Sequence, residues 1–486
     1  MNKYKCPKCG FIYDDEQENI LFTDLDDNYF CPFCLTAKKD FTLEEEQPKK
    51  EVVEKRVQIS PDNPSLARIE EKCINCGICK NICENVVGIK YNKEDVLQPI
   101  CVNCGQCVIN CPTGALVTKY CYKKVLNYLN DTDYIVTVSL APAVRVALQE
   151  EFNEEAGANV TKKIVTALKK LGFDYVFDLT FGADLTIMEE ATELVNRLKS
   201  KKNLPMFTSC CPSWVKYMEL YHADLLDYLS TCKSPIGMQA ATINSYFILY
   251  KDIPKNKIIN VMVAPCTAKK YEINREEITD MDYVITTREL AMMLRECEID
   301  FKSLEESEFD VLLGGGSGAG DIFGTSGGVM ESALRCAYHI ITNEDAPANF
   351  YDLTSVRGNT AIKEAKIRMG DYNLNICAVF GMPNLEKVLK DMNKYDFIEV
   401  MNCPLGCVGG GGQPLGIISK VTDTRIKRSN GLYNIDKDKK IRVCYKNPDI
   451  INLYRAYLQY PGSLKAKELL HTTFNHNLKS KYFFKK

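Results

Sequence analysis

The chain has 486 residues, 45% of them hydrophobic, enough for about two to four domains with buried cores. A formal net charge of −3 removes the electrostatic case for nucleic acid or an anionic membrane as partner. The opening MNKYKCPKCG carries no apolar signal region, and no run reaches membrane-spanning length, so the expected location is the cytoplasm. There, 23 cysteines read as thiols, and clustered thiols as metal ligands. The histidines, His222, His339, His471 and His476, are not spaced for a histidine-based zinc site. Thiolate ligation favours zinc, a single iron or iron–sulfur clusters.

Residues 1–40 hold two C-x-x-C pairs, Cys6 with Cys9 and Cys31 with Cys34. Two such pairs complete a tetrahedron around one ion, and the spacing alone suits zinc with a single iron as the alternative. The flanks YKCPKCGFIYDD and FTDLDDNYFCPFC, aromatic near the metal and followed by acidic residues, resemble rubredoxin, which implies iron. The stretch between the pairs is shorter than in a usual rubredoxin, and a structural knuckle is the plainer reading. Residues 41–62 are highly charged and then proline-containing, a linker with one possible short strand in EKRVQI.

Residues 63–125 repeat one cassette. CINCGICKNIC supplies Cys73, Cys76, Cys79 and Cys83; CVNCGQCVINCP supplies Cys101, Cys104, Cys107 and Cys111. C-x₂-C-x₂-C-x₃-C is the bacterial two-cluster ferredoxin spacing, in which the fourth cysteine crosses to the other cluster. Cys111 is therefore expected to complete the first [4Fe–4S] site and Cys83 the second. Glu84 stands where proline usually follows and leaves the ligands intact. Two adjacent clusters form a route for electrons.

From residue 126 to 418 the pattern is α/β. YIVTVSLAP and IINVMVAPC read as buried strands; TKKIVTALKKLG and IMEEATELVNRLKS read as amphipathic helices. Their alternation predicts βαβ layering. Residues 419–486 form a charged tail with helices expected in PDIINLYRAYL and SLKAKELLHTTF. The whole is a multidomain α/β chain.

Four cysteines in three distant segments stand out: Cys211 in TSCCPSW, Cys266 in APCTAKKYE, and Cys403 and Cys407 in MNCPLGCVGGGGQP. A nucleotide loop is the rival reading of GGGGQP, but no G-K-[ST] follows. The three segments closely resemble the signature motifs of the FeFe-hydrogenases, over about residues 135–418. FGTSGGVMESALR also resembles a segment of that family. The tail resembles the hydrogenase small-subunit region, fused here, with Cys444 and Tyr445 where serine and histidine are usual.

The resemblance implies an α/β catalytic domain holding an H-cluster and catalysing 2H⁺ + 2e⁻ ⇌ H₂. Cys211, Cys266, Cys403 and Cys407 match the ligands of its [4Fe–4S] cubane. Cys407 also bridges, in the family, to a two-iron unit carrying CO, cyanide and an amine-containing dithiolate. Lys269 matches the lysine that hydrogen-bonds one cyanide, where its charge suits an anion. Pro142, Phe323 and Met401 match pocket-wall positions. The glycines after Cys407 are expected to let backbone approach the cluster closely. Cys210 matches the proton donor beside the bridging amine; a thiol, with its reference pKa near ~8.5, can exchange protons at working pH. No histidine motif supports a catalytic Cys–His pair instead.

Glu190, Glu193 and Arg197 share one helix face, by pattern a solvated, ion-paired one. The resemblance implies a proton path Arg197, Glu193, Ser230, Glu190, Cys210. Ala264, Ala143, Ile236, Gly237 and Leu405 depart from usual family residues around the cluster, where changes tune potential and access. Cys121, Cys232, Cys297, Cys336, Cys377 and Cys444 match no ligand motif and read as structural thiols. Expected partners are ferredoxin or another small redox protein and dedicated maturation proteins, with H₂ and protons as substrates. Two other classes remain: a hydrogen sensor using the same cluster, which the complete path and lack of a signalling domain disfavour, and a non-catalytic iron–sulfur carrier, which Cys210 and Lys269 disfavour.

Overall fold

The computed structural model describes residues 2–8, 11–16, 18, 20–32, 36–43, 56–90, 95–278, 280–416 and 420–484. Two four-stranded sheets organise the molecule. In the first, Tyr283–Thr286, Ile258–Ala264, Ile135–Leu140 and Tyr175–Asp178 lie side by side, all parallel. The sequences IVTVSL and IINVMVA are buried almost throughout, as strands covered by helices on both faces must be. In the second sheet Met206–Phe207 runs parallel to Phe397–Met401, which runs parallel to Tyr372–Phe380; Ile362–Met369 closes the edge antiparallel.

The register of both sheets decides where the chemistry sits. Leu140 is level with Val263 and Asp178, and Ala264 with Thr286. The turns carrying Pro142, Cys266 and Lys269 therefore leave one common carboxyl edge. The segments carrying Cys210, Cys211, Cys403 and Cys407 leave the carboxyl ends of Met206–Phe207 and Phe397–Met401, which are paired Ile398 to Phe207. Carboxyl edges of parallel strands are where open α/β sheets bind ligands.

The helix Leu179–Ser200 starts where the Asp178 side chain accepts the Thr180 N–H at 2.9 Å. It is buried for most of its length and packs on the helices Pro235–Thr242 and Gly328–Thr342. The face carrying Glu190 and Arg197 is thus interior, not solvated: Glu190 is 2% exposed and Arg197 9%. The sequence pattern misreads this face because the apolar packing around it comes from other segments.

Cassette residues 66–68 and 116–118 pair as two short antiparallel strands. Its two halves share one backbone device: Asn75 and Gly77, like Asn103 and Gly105, all have positive φ. With Glu84 in place of proline the first half runs on helically through Cys83–Val87. The helix Tyr122–Leu129 crosses the expected boundary at 125, and its Val125 is buried in the core of the all-parallel sheet.

At the N-terminus Lys3–Lys5, Ile12–Asp14 and Thr42–Leu43 form a small antiparallel sheet around Cys6, Tyr13, Phe22, Cys31 and Phe41. The described part of EKRVQI, 56–59, is not a strand; 54–55 lie outside the described residues. The C-terminal region has no core of its own. Leu432 and Ile435 pack on Ala143, Val146, Leu405 and Val408, while Ile450, Leu453 and Leu470 join Phe177 and Phe181. Arg335, fully buried, ties Glu331 to Asp436 and so clamps the helix Val421–Asp438 onto the Gly328–Thr342 helix.

Candidate active site

The two carboxyl edges face one cavity with an empty volume of about 820 Å³. Cys210, Cys211, Cys266, Cys403, Cys407 and Lys269 line it, with Pro142, Phe323 and Met401 among the apolar walls. Three of the thiols are raised by burial and by their thiol neighbours. Burial first, then Cys211, raises the Cys266 thiol to about 11. Burial again, then Cys266, raises those of Cys403 and Cys407, and Cys211 adds to both. Four thiols converging where ionisation is this costly are a donor set for cationic metal, which takes thiolates and supplies the missing charge.

A second observation fits an iron–sulfur group here. The fully buried Asn402 amide finds no nitrogen or oxygen partner for either polar atom, and the group it faces is the Cys104 thiol. Asn402 precedes Cys403, lies beside the Cys104 thiol, and its N–H favours the Cys211 thiolate. Cluster sulfides are the acceptors such an amide needs. The Lys269 ammonium donates to the Cys210 carbonyl at 3.0 Å, is paired with Glu272 at 2.6 Å, and remains charged at the cavity wall.

Cys210 is distinguished from its neighbour by its surroundings. Burial and then Glu190 push its thiol well above the usual range, so it holds its proton. Glu190, pushed by burial to about 8, is steadied by the Ser230 hydroxyl. Ser230 donates to Glu193 Oε2 at 3.4 Å, and Arg197 donates to Glu193 Oε1 at 2.6 Å. The five residues therefore follow one another from Cys210 to the half-buried Glu193–Arg197 pair. Sequence reasoning missed a branch at this end: the Thr231 hydroxyl donates to Glu193 Oε2 at 3.1 Å and lies 2.7 Å from His471 Nδ1, while His471 Nε2 lies 3.1 Å from Glu189. Cys232, filed as structural, also donates to Glu193 at 3.8 Å.

In the cassette, the Cys83 thiol is raised by burial and then by Cys101 and Cys104, ahead of Cys79 in its own half. Cys107 feels Cys101, Cys83 and Cys79 in that order. Cys83 thus lies close to Cys101 and Cys104 of the second half. The Val57 N–H donates to Cys79 Sγ at 3.4 Å and the Asn103 N–H to Cys101 Sγ at 3.3 Å, the kind of donor that steadies a ligating thiolate. Burial raises the Cys111 thiol, but donors at Leu116, Thr113 and Ala115 outweigh it and bring it below the usual value. Cys73 is partly exposed and Cys76 exposed, beside Ile74 at 67% exposure.

The cassette is locked onto the cavity. Cys104 lies among the thiols that raise Cys403. Ser213 donates to the Val102 carbonyl at 2.8 Å, Thr267 to the Asn103 carbonyl at 2.6 Å, and Gln106 to the Gly409 carbonyl at 2.7 Å. The glycines after Cys407 have a second role besides the expected one. A Cβ on Gly410 would overlap the Pro265 carbonyl, and one on Gly411 the Cys104 carbonyl and Gly105. They let protein backbone meet protein backbone, and Gly410 also lines the cavity. Of the departures, Ala143, Ile236 and Ala264 line the cavity with apolar surface. Leu405 takes φ +63, a left-handed conformation unusual for leucine, and is repaid by burial against the 421–438 helix.

At the N-terminal site Cys6 and Cys31 are fully buried, each opening an equivalent turn: Cys6 N–H donates to the Phe11 carbonyl and Cys31 N–H to the Thr36 carbonyl, at 2.7 and 2.8 Å. Cys9 and Cys34 lie outside the described residues. Lys5 pairs with Glu71 at 2.9 Å, which sets this small sheet against the first cassette half.

Comparison with known proteins follows the same lines. Residues 134–411 match the family model described as iron only hydrogenase large subunit, C-terminal domain, and residues 422–477 match that of the iron hydrogenase small subunit. The chain is 42% identical over 441 residues to the NADP-reducing hydrogenase subunit HndD of Solidesulfovibrio fructosivorans, covering 84% of this chain and 74% of that one. It is 38% identical over 497 residues to iron hydrogenase 1 of Clostridium pasteurianum, covering 97% and 83%. Among solved structures, the [FeFe]-hydrogenase HydA1 of Chlamydomonas reinhardtii superposes with a TM-score of 0.64 at 38% identity, over 73% of this chain and 98% of that one.

Proposed function

The chain belongs to the iron-only hydrogenase family, and from that premise we propose how its residues divide the work of interconverting protons, electrons and H₂. The observation that carries the reading is the convergence of Cys211, Cys266, Cys403 and Cys407 on one largely apolar cavity, with Cys210 and Lys269 beside them. These four would hold the [4Fe–4S] part of the H-cluster. The bound H-cluster supplies the iron site and the redox capacity at which protons and electrons combine.

The side chains do the rest. Lys269 presents a fixed positive charge to an anionic cyanide ligand. Pro142, Phe323 and Met401 keep bulk water from the cavity. Cys210 carries a proton at its Sγ, and Glu190, neutral below about pH 8, replaces it through its carboxyl group. Ser230, Glu193 and Arg197 carry the path on toward the surface, with Thr231 and His471 as a branch.

Electrons enter through the cassette. Cys73, Cys76, Cys79 and Cys111 hold one [4Fe–4S] cluster, and Cys101, Cys104, Cys107 and Cys83 the other, nearer the cavity. Cys6, Cys9, Cys31 and Cys34 hold one iron or zinc in a rubredoxin-like domain at 1–40, ahead of the linker 41–62. The ferredoxin-like domain spans 63–125, the catalytic domain 126–418 and the small-subunit-like region 419–486. A small redox protein such as ferredoxin docks where Cys76 and Ile74 are exposed. Maturation proteins supply the two-iron unit. No helix among the described residues is long and apolar enough to cross a membrane, and the thiol-rich composition suits the cytoplasm.

Anaerobically matured protein should evolve H₂ from a reduced viologen; matured protein with full iron content and no turnover would overturn the reading. Gly411→Ala should hold its iron yet slow H₂ formation several-fold when electrons arrive through ferredoxin, because the added methyl forces the Cys104–Gly105 turn away from the cavity loop. Parent-like rates in that assay would show that the close approach is not needed for electron transfer.

A further inference from the structure

Lys216, on the helix Pro212–Tyr221, is 3% exposed. Its ammonium donates to Asn103 Oδ1 at 2.9 Å and stands over the Tyr271 ring at 4.1 Å and the Tyr482 ring at 5.2 Å. Among the described residues no carboxylate lies within 4.0 Å of it. Glu219, on the same helix, is taken by a two-pronged pair with Arg275, at 2.7 and 3.0 Å. A buried cation without an ionic partner is expensive, and a chain keeps one where its charge does something. The packing role alone would be met by methionine or leucine at lower cost.

The cassette supplies the missing negative charge. Asn103, which receives the ammonium, donates its own N–H to Cys101 Sγ at 3.3 Å. Burial brings the Lys216 ammonium down to about 8; of the negative groups that oppose this and keep it charged below that pH, the Cys101 thiolate does most, ahead of Glu219. The same thiolate acts on Tyr482, the far wall of the cage. The Lys216 ammonium is therefore one residue away from a proposed cluster ligand, in an environment too dry to screen it.

We propose that Lys216 is a positioning residue for electrons: its buried ammonium raises the reduction potential of the [4Fe–4S] cluster on Cys101, Cys104, Cys107 and Cys83, and so draws electrons from the first cluster toward the cavity. The inference rests on the cassette assignment above. In the step concerned the second cluster gains one electron and the first loses one; no bond forms or breaks, and below about pH 8 Lys216 keeps its proton. A fixed positive charge favours the more negative, reduced cluster, and in a low-dielectric site the preference is large.

The test is an EPR-monitored redox titration of the matured full-length protein and its Lys216→Met, Lys216→Gln and Lys216→Arg variants. The second cluster is identified as the signal lost in Cys101→Ala protein. Met and Gln should each raise its oxidised-to-reduced ratio at fixed potential about tenfold, equivalent to 59 mV downward for a one-electron couple. Arg should leave it near the parent value, and the first-cluster signal should not move in any variant. Unchanged potentials in Met and Gln overturn the proposal, as does a shift in Met that Gln lacks, since glutamine keeps a donor to Asn103 without the charge. If the Met protein does not assemble, the Gln and Arg pair decides. Absence of a second-cluster signal in the parent would remove the cassette assignment, and the inference with it.

Discussion

Cys210→Ala protein is expected to keep its iron and lose about 10²–10⁴-fold in turnover, the range for removing a positioned proton donor. The reason lies in how differently the chain treats two adjacent thiols. Cys211 raises the thiols of Cys266, Cys403 and Cys407, whereas Cys210 answers first, after burial, to Glu190. Alanine at 210 leaves the four proposed ligands in place and cuts the path at its inner end. Serine should do nearly as badly, because a hydroxyl releases its proton far less readily than a thiol. Aspartate keeps an ionisable group of similar reach and should retain part of the activity, with the optimum moved to lower pH. In the parent, turnover should fall as pH rises through about 8, where Glu190 loses the proton it is to hand on. Glu193→Gln should also be slow, since an amide cannot relay a proton as a carboxyl group does. Parent-like turnover in Cys210→Ala would make Cys210 a packing thiol and send the protons elsewhere.

Cys211→Ala should fail in the other way, by losing the centre itself. A complete parent carries three cubanes and a two-iron unit, about 14 iron atoms, with one more if the N-terminal site holds iron. Removing one of the four thiolates that converge on the cavity should reduce the iron count toward about eight, the content of the cassette clusters alone, and abolish activity. The cavity explains why loss should be this complete. Its walls are apolar apart from the sulfurs, Lys269, Asn402 and a Ser213 hydroxyl held by the Val102 carbonyl, so they offer no carboxylate or imidazole for the vacated corner. Iron analysis with EPR of the reduced protein measures this. A full iron count with unaltered spectra in Cys211→Ala would remove Cys211 from the ligand set.

Cysteine spacing made the donor sets legible, because ligand geometry imposes short fixed intervals on the chain. The strand readings at 135–140 and 258–264 succeeded for a similar reason: both are unbroken apolar runs, and an all-parallel sheet covered on both faces demands them. What escaped the sequence depends on segments far apart in the chain. Glu190 and Arg197 show a polar helix face by pattern, yet they are covered from outside their own helix. His471 meets Thr231 across 240 positions, and Lys216 meets Asn103 across 113. Neither pair leaves a local trace. The glycine run after Cys407 was visible, but its second role was not. Only the fold shows that Gly411 faces the Cys104 carbonyl. The C-terminal region likewise reads as a separate tail, although its apolar positions complete cores begun by the catalytic sheets.

The account stands or falls on what the cavity at Cys211, Cys266, Cys403 and Cys407 holds. Infrared spectroscopy of anaerobically matured protein, taken before and after exposure to H₂, addresses this directly. The account predicts CO and cyanide stretching bands that change on exposure to H₂, and the same bands in Cys210→Ala protein that has lost turnover. Protein put through a maturation that activates a control hydrogenase in parallel, yet with iron near the cassette's complement and no CO or cyanide bands, would contradict it.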